Sequence, residues 1–139
     1  MSHGYETFEH TADIGIRAWG SDVAQVFEEA AKALFSVIVD LGAVVSRQKL
    51  KIELTAESTE ELFFKWLKEL LFISETRHIF LSKFKVLDLS PEKLVAEVQG
   101  EPINSQKHIL GREVKAITRH QFKLVHDKSR YLAEVILDI

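Results

Sequence analysis

Cysteine is absent from all 139 residues. That removes disulfides, thiolate metal sites and cysteine nucleophiles together, and it suits a reducing compartment. Proline occurs twice and glycine six times against 46% hydrophobic residues, a balance foreign to disordered or fibrous chains. Uninterrupted apolar runs are missing too. Lys65, Lys68, Glu69 and Glu75 break the longest windows, so no membrane span is expected. The opening Met1-Ser2-His3-Gly4-Tyr5-Glu6 lacks both a basic flank and an apolar centre, so no secretory signal is expected and the cytoplasm is the expected compartment. A basic excess is lacking as well: the net charge is −3, whereas gripping phosphates calls for surplus Lys and Arg. Direct nucleic-acid binding is therefore not expected. Lys107, Arg112, Lys115 and Arg119 form a local basic stretch, either a solvated strand face or a rim for an acidic partner. Gly-x-Ser-x-Gly, P-loop and Gly-x-Gly-x-x-Gly patterns are all absent, which leaves nucleophile-elbow and nucleotide-cradle chemistry without support.

What is present reads as one domain over residues 1–139. Tyr5 to Trp19 is extended, punctuated by Gly15 and Gly20. Ser21 is placed as an N-cap with Asp22 in the first turn, and Val23, Val26, Phe27, Ala30, Leu34, Val37 and Ile38 follow at helical spacing until Gly42. Leu50, Ile52 and Leu54 alternate with charged neighbours as a half-buried strand does. Ser58 and Glu61 form a capping box for a helix running to about Arg77, with Phe64 and Phe72 lying off its apolar stripe. Residues 79–99 read as a hairpin turning at Ser90-Pro91-Glu92-Lys93, and residues 100–111 as the longest loop. Residues 114–125 and 131–139 read as a second hairpin. The expected class is α+β: a mainly antiparallel sheet of about six strands with two helices packed on one face.

Two segments hold candidate chemistry. Asp13 follows His10, and the sequence ends on Leu137-Asp138-Ile139. If the fold sets Asp13 beside that end, two side-chain carboxylates and the terminal carboxylate of Ile139 converge. Such hard oxygens suit Mg²⁺, Ca²⁺ or Mn²⁺ rather than zinc. Read locally, Asp13 is equally a turn residue beside Gly15, and Asp138 a polar residue at a strand end. His108 and His120 lack the spacing of zinc ligands.

Phe8-Glu9-His10-Thr11-Ala12-Asp13-Ile14-Gly15 with Trp19-Gly20, Trp66-Leu67-Lys68-Glu69-Leu70-Leu71, Glu113-Val114-Lys115-Ala116-Ile117-Thr118 with His120, and Ile136-Leu137-Asp138-Ile139 together resemble the archease family from end to end. Arg119 stands where members often carry Tyr, and Lys68 where Asn is frequent. The resemblance implies a non-catalytic cofactor of the RtcB-type RNA ligase, promoting GTP-dependent guanylylation and repeated turnover in tRNA splicing and RNA repair. It implies a metal site on Asp13, Asp138 and the terminal Ile139, with Ca²⁺ the family's ion and Mn²⁺ or Mg²⁺ as alternatives, and contact with tRNA only through the ligase. Two other readings are a small metal-dependent phosphoesterase, for which no general base is identifiable, and a chaperone of a tRNA methyltransferase.

Overall fold

The computed structural model describes residues 2–10 and 12–139; Met1 and Thr11 lie outside the described residues. The order of elements is β1 (Gly4–His10), β2 (Asp13–Gly20), α1 (Val23–Ile38), a 3₁₀ turn (Leu41–Ala43), β3 (Gln48–Thr55), α2 (Thr59–Arg77), β4 (Ile79–Ser90), β5 (Lys93–Pro102), β6 (Ala116–Ile117), β7 (Lys123–Asp127) and β8 (Arg130–Asp138). The α+β class and the antiparallel pairing stand as expected. Among the described residues the strands number eight rather than about six, and they part into two sheets. One has the order β1-β2-β8-β6, with β7 also paired to β8; the other has the order β3-β5-β4.

α1 packs on β1, β2 and β8 and also on β4, whereas α2 packs on β3, β4, β5 and β6. The helices thus serve both sheets, not one face of a single sheet. That explains why α1 buries Phe27, Ala31, Leu34 and Phe35 around most of its circumference. One apolar core joins the layers, with Trp66, Phe27 and Phe63 fully enclosed. The Trp66 indole N–H donates to the Phe27 carbonyl at 2.8 Å, which gives this ring's polar edge a partner in the core. No helix among the described residues is long and apolar enough to cross a membrane.

Local signals resolve with small shifts. Asp22, not Ser21, is the N-cap of α1, accepting from the Gln25 N–H at 2.8 Å, while Ser21 donates to the Gln25 side chain. Asp22 is extended at φ −142°, the conformation a cap requires. α1 stops at Val39, and Gly42 lies in the 3₁₀ turn beyond. Ser58 caps α2 as expected, accepting from Glu61 N–H at 3.2 Å, but the Glu61 carboxylate turns outward to Arg119. The extended reading of residues 114–125 is broken: β6 has two residues, and Gln121 at φ 54° turns the chain before β7.

Candidate metal centre

The expected site residues are positioned by strand register. In the β1–β2 hairpin His10 stands opposite Asp13, and β2 pairs with β8 so that Ile14 faces Leu137. One step further along that ladder come Asp13 and Asp138. Alternation then assigns the faces. Ile16, Val135 and Leu137 are buried on the helix side. On the opposite face Arg17 Nε donates to Glu134 at 2.6 Å, and the Phe8 ring covers Gly15, where a Cβ would lie 2.2 Å from its Cζ. β6 continues the sheet beyond β8, and the Lys115 N–H donates to the Asp138 carbonyl at 2.7 Å.

An open cleft of about 610 Å³ lies at this end of the sheet, lined by Phe8, Glu9, Asp13, Ile14, Arg112 and Ile139 among others. Asp13 and Ile139 therefore share one space. Asp138 is exposed at the adjoining ladder position and does not line the cleft. Among the described residues no three His, Asp or Glu side chains converge into a metal-holding group. The set expected from the sequence is of another kind, the side-chain carboxylates of Asp13 and Asp138 with the main-chain carboxylate of Ile139. Its all-oxygen chemistry fits a hard divalent cation that keeps several waters.

His10 and His120, unremarkable in sequence, meet edge to face with ring centroids 5.4 Å apart. The His10 Nδ1 atom is buried without a hydrogen-bond partner among the described residues. His108 lies elsewhere, enclosed beside Glu101 with Nε2 at 2.9 Å from the carboxylate. The His10–His120 contact joins β1 to the turn after β6, far apart in sequence, whereas His108 and Glu101 are only seven residues apart, joined by the fold of the loop that follows β5.

The basic stretch divides. Arg119 makes a two-pronged pair with Glu61 at 2.7 and 2.8 Å and lies 4.0 Å above the Phe64 ring. Those hydrogen bonds hold the Glu61 carboxyl below its ordinary range and raise Arg119 above its own. Lys107 pairs with Glu101 at 2.8 Å. Arg112 alone of the four enters the cleft with Asp13, and it makes no ion pair within 4 Å among the described residues.

The fold is an α+β domain with an open cleft at the end of strands β1 and β2, lined by Asp13 and Ile139. The model of the Archease protein family matches residues 5–139. The chain belongs to the archease family. It is 40% identical over 139 residues to the protein archease of Methanothermobacter thermautotrophicus, covering 98% of this chain and 99% of that one. It is 37% identical to that of Pyrococcus abyssi, with 97% and 98% covered. The solution structure of Methanobacterium thermoautotrophicum protein 1598 superposes with a TM-score of 0.86 at 39% identity, covering 98% of this chain and 99% of that one. A Thermotoga maritima crystal structure described as an archease and possible chaperone shares the fold, with a TM-score of 0.67 at 21% identity and 96% of each chain covered.

Proposed function

We propose that this archease is a non-catalytic activator of an RtcB-type RNA ligase in the cytoplasm. It promotes GTP-dependent guanylylation and multiple turnover in tRNA splicing and RNA repair, and reaches tRNA only through the ligase. A divalent cation, Ca²⁺ by family likeness with Mn²⁺ or Mg²⁺ as alternatives, is held by Asp13, Asp138 and the terminal carboxylate of Ile139. The observation that carries this reading is the β2–β8 register, whose last pair is Ile14 with Leu137, one residue short of Asp13 and Asp138, together with the cleft that Asp13 and Ile139 both line.

The chemistry of the donors fits the role. Three carboxylates leave part of the shell of a six- to eight-coordinate ion to water or to a ligand from the partner. The openness of the strand ends lets a large partner approach that shell. When bound, the ion supplies positive charge for phosphate oxygens. The chain's own residues hold it: Asp13 is fixed by pairing on β1, and Asp138 by its ladder partner Ala116 on β6.

The test is multiple-turnover RNA ligation by the ligase of the same organism, with GTP and Mn²⁺, with and without this protein. Strong stimulation that disappears with Asp13→Ala supports the reading. RNA cleavage by the purified protein alone would instead establish the phosphoesterase reading, and the absence of any stimulation would overturn the activator role.

A further inference from the structure

The segment between β5 and β6 is long yet pinned throughout. Glu101, buried at its start, accepts hydrogen bonds from the Val45 N–H at 2.7 Å and from Lys107 at 2.8 Å. The Asn104 N–H donates to His108 Nδ1 at 2.9 Å, so it is Nε2 that carries the proton donated to Glu101. Further on, the Ile109 carbonyl accepts from Asp40 N–H at 2.9 Å, and Leu110 bridges Val39. The N–H groups of Gly111 and Arg112 donate to Ile38 and Val37 at 2.8 and 2.7 Å. A Cβ on Gly111 would fall 2.2 Å from the Val37 carbonyl oxygen, so this backbone is pressed against the end of α1.

All this order presents apolar side chains to water. Ile109 is 65% exposed, Leu110 60% and Ile103 40%. Neither side chain at 109 or 110 repays its fixation by burial within the fold. Fixed, exposed, clustered apolar groups mark a contact surface whose ordering cost is already met before binding. Beside them lies a groove of about 350 Å³ at the C-terminal end of α2, lined by Leu71, Phe80, Ile103 and Leu110 with Glu75 and Glu113.

We infer that this groove and the Ile109–Leu110 ridge form the surface that docks the RNA ligase, an inference that rests on the activator reading above. Charge complementarity and position select the occupant. Of the groove's carboxylate and guanidinium side chains two, Glu75 and Glu113, are acidic against one, Arg112. Neither Glu has an ion-pair partner within 4 Å among the described residues, so the groove is acidic on balance although Arg77 lies at the carbonyl end of α2. An enzyme that joins RNA carries Lys and Arg around its active centre to hold phosphates. Its fitting element is an apolar side chain flanked by a lysine or arginine. Arg112 lines both the groove and the cleft that holds Asp13, so the two adjoin across this side chain, and a ligase seated on the ridge lies beside the candidate metal centre.

The experiment uses the full chain and the intact ligase, and compares the wild type with Ile109→Glu/Leu110→Glu and with Asp13→Ala. It reads both direct binding, by fluorescence anisotropy of labelled protein, and the concentration giving half-maximal stimulation of ligation. The ridge variant should weaken binding and raise that concentration roughly tenfold or more, the effect of losing an interface anchor, while keeping the plateau and the wild-type melting curve. Asp13→Ala should lower the plateau and leave binding near wild type. A folded ridge variant that binds and stimulates like the wild type overturns the docking surface and leaves the activator role intact. Variant-sensitive binding without stimulation by the wild type overturns the activator role and keeps the surface. If the wild type neither binds nor stimulates, both fall. A wild-type dimer in sedimentation that the ridge variant dissociates would assign the surface to a second copy and overturn the inference.

Discussion

Gly15 offers the sharpest test of how the candidate centre is built. No glycine among the described residues has a positive φ, so backbone conformation does not demand glycine here. Space does. A Cβ on Gly15 would stand 2.2, 2.3 and 2.6 Å from three carbons of the Phe8 ring. That ring is the cross-strand partner of Gly15, and the Arg17 guanidinium lies 4.6 Å above it. In an ordinary strand Gly→Ala would stabilise by about 0.5–1 kcal/mol through the unfolded chain. Here the ring must leave its seat, which costs about 1–3 kcal/mol in overpacking, and the contact with Arg17, worth about 0.5–1 kcal/mol, goes with it. The net expectation for Gly15→Ala is a loss of about 2 kcal/mol, or roughly 6–10 °C in Tm for a chain of this length. Urea and thermal unfolding of Gly15→Ala, Phe8→Ala and the double variant measure it. Without the ring the added methyl has room and should stabilise as in an ordinary strand, so the double variant should be more stable than the sum of the single changes predicts by about 2.5–3 kcal/mol. A Gly15→Ala protein as stable as wild type, or a strictly additive cycle, refutes the idea that this glycine exists to seat Phe8.

Three further outcomes are expected. Hydrogen bonds from Lys107, then Val45 N–H and His108, lower the Glu101 carboxyl to about 2. Its contribution to stability is therefore fully present above the unfolded value near 4.5 and is lost as pH falls from there toward 2. Melting curves between neutral pH and pH 2.5 should fall less steeply for Glu101→Gln, and parallel profiles would contradict this. Trp66→Phe leaves the buried Phe27 carbonyl without its donor and opens a void in the core, so chemical denaturation should report a loss of about 2–4 kcal/mol. Residues appended after Ile139 displace its carboxylate and should weaken Mn²⁺ or Ca²⁺ binding in calorimetry as strongly as Asp138→Ala does; unchanged affinity would remove Ile139 from the proposed donors.

What the sequence makes legible is what local chemistry decides. The Ser58 cap, the stripe of α2 and the alternation of Leu50, Ile52 and Leu54 all stand in the fold where the pattern sets them. Alternation says which face of a strand is buried but not which strand lies beside it, so the split into two sheets is invisible until β2 is seen to pair with β8 and β3 with β5. The acidic end has the same dependence. Asp13 and Asp138 can be singled out separately, but their adjacency is a product of register across the whole chain. The His10–His120 contact is of that kind too, whereas the buried Glu101–His108 pair closes within one loop, by a conformation that no strand or helix period describes.

Two oddities of the sequence prove to be one contact. Phe64 lies off the apolar stripe of α2, and Arg119 stands where the resemblance noted in the sequence leads to an expectation of tyrosine. In the fold Phe64 is only 5% exposed, because Phe122 packs against it edge-on and the Arg119 guanidinium covers it at 4.0 Å. A guanidinium is planar and weakly hydrated, so it can lie on a ring face much as an aromatic side chain would. It adds what tyrosine cannot, the two-pronged pair with Glu61 in the first turn of α2. That pair draws the Glu61 carboxylate away from its own cap, which is why only half of the capping box forms. The tie runs from the start of α2 to the turn after β6, the strand that holds Asp138. Arg119 thus supplies a planar cover on Phe64. It also anchors by charge the turn whose next residue, His120, meets His10 beside the candidate metal centre.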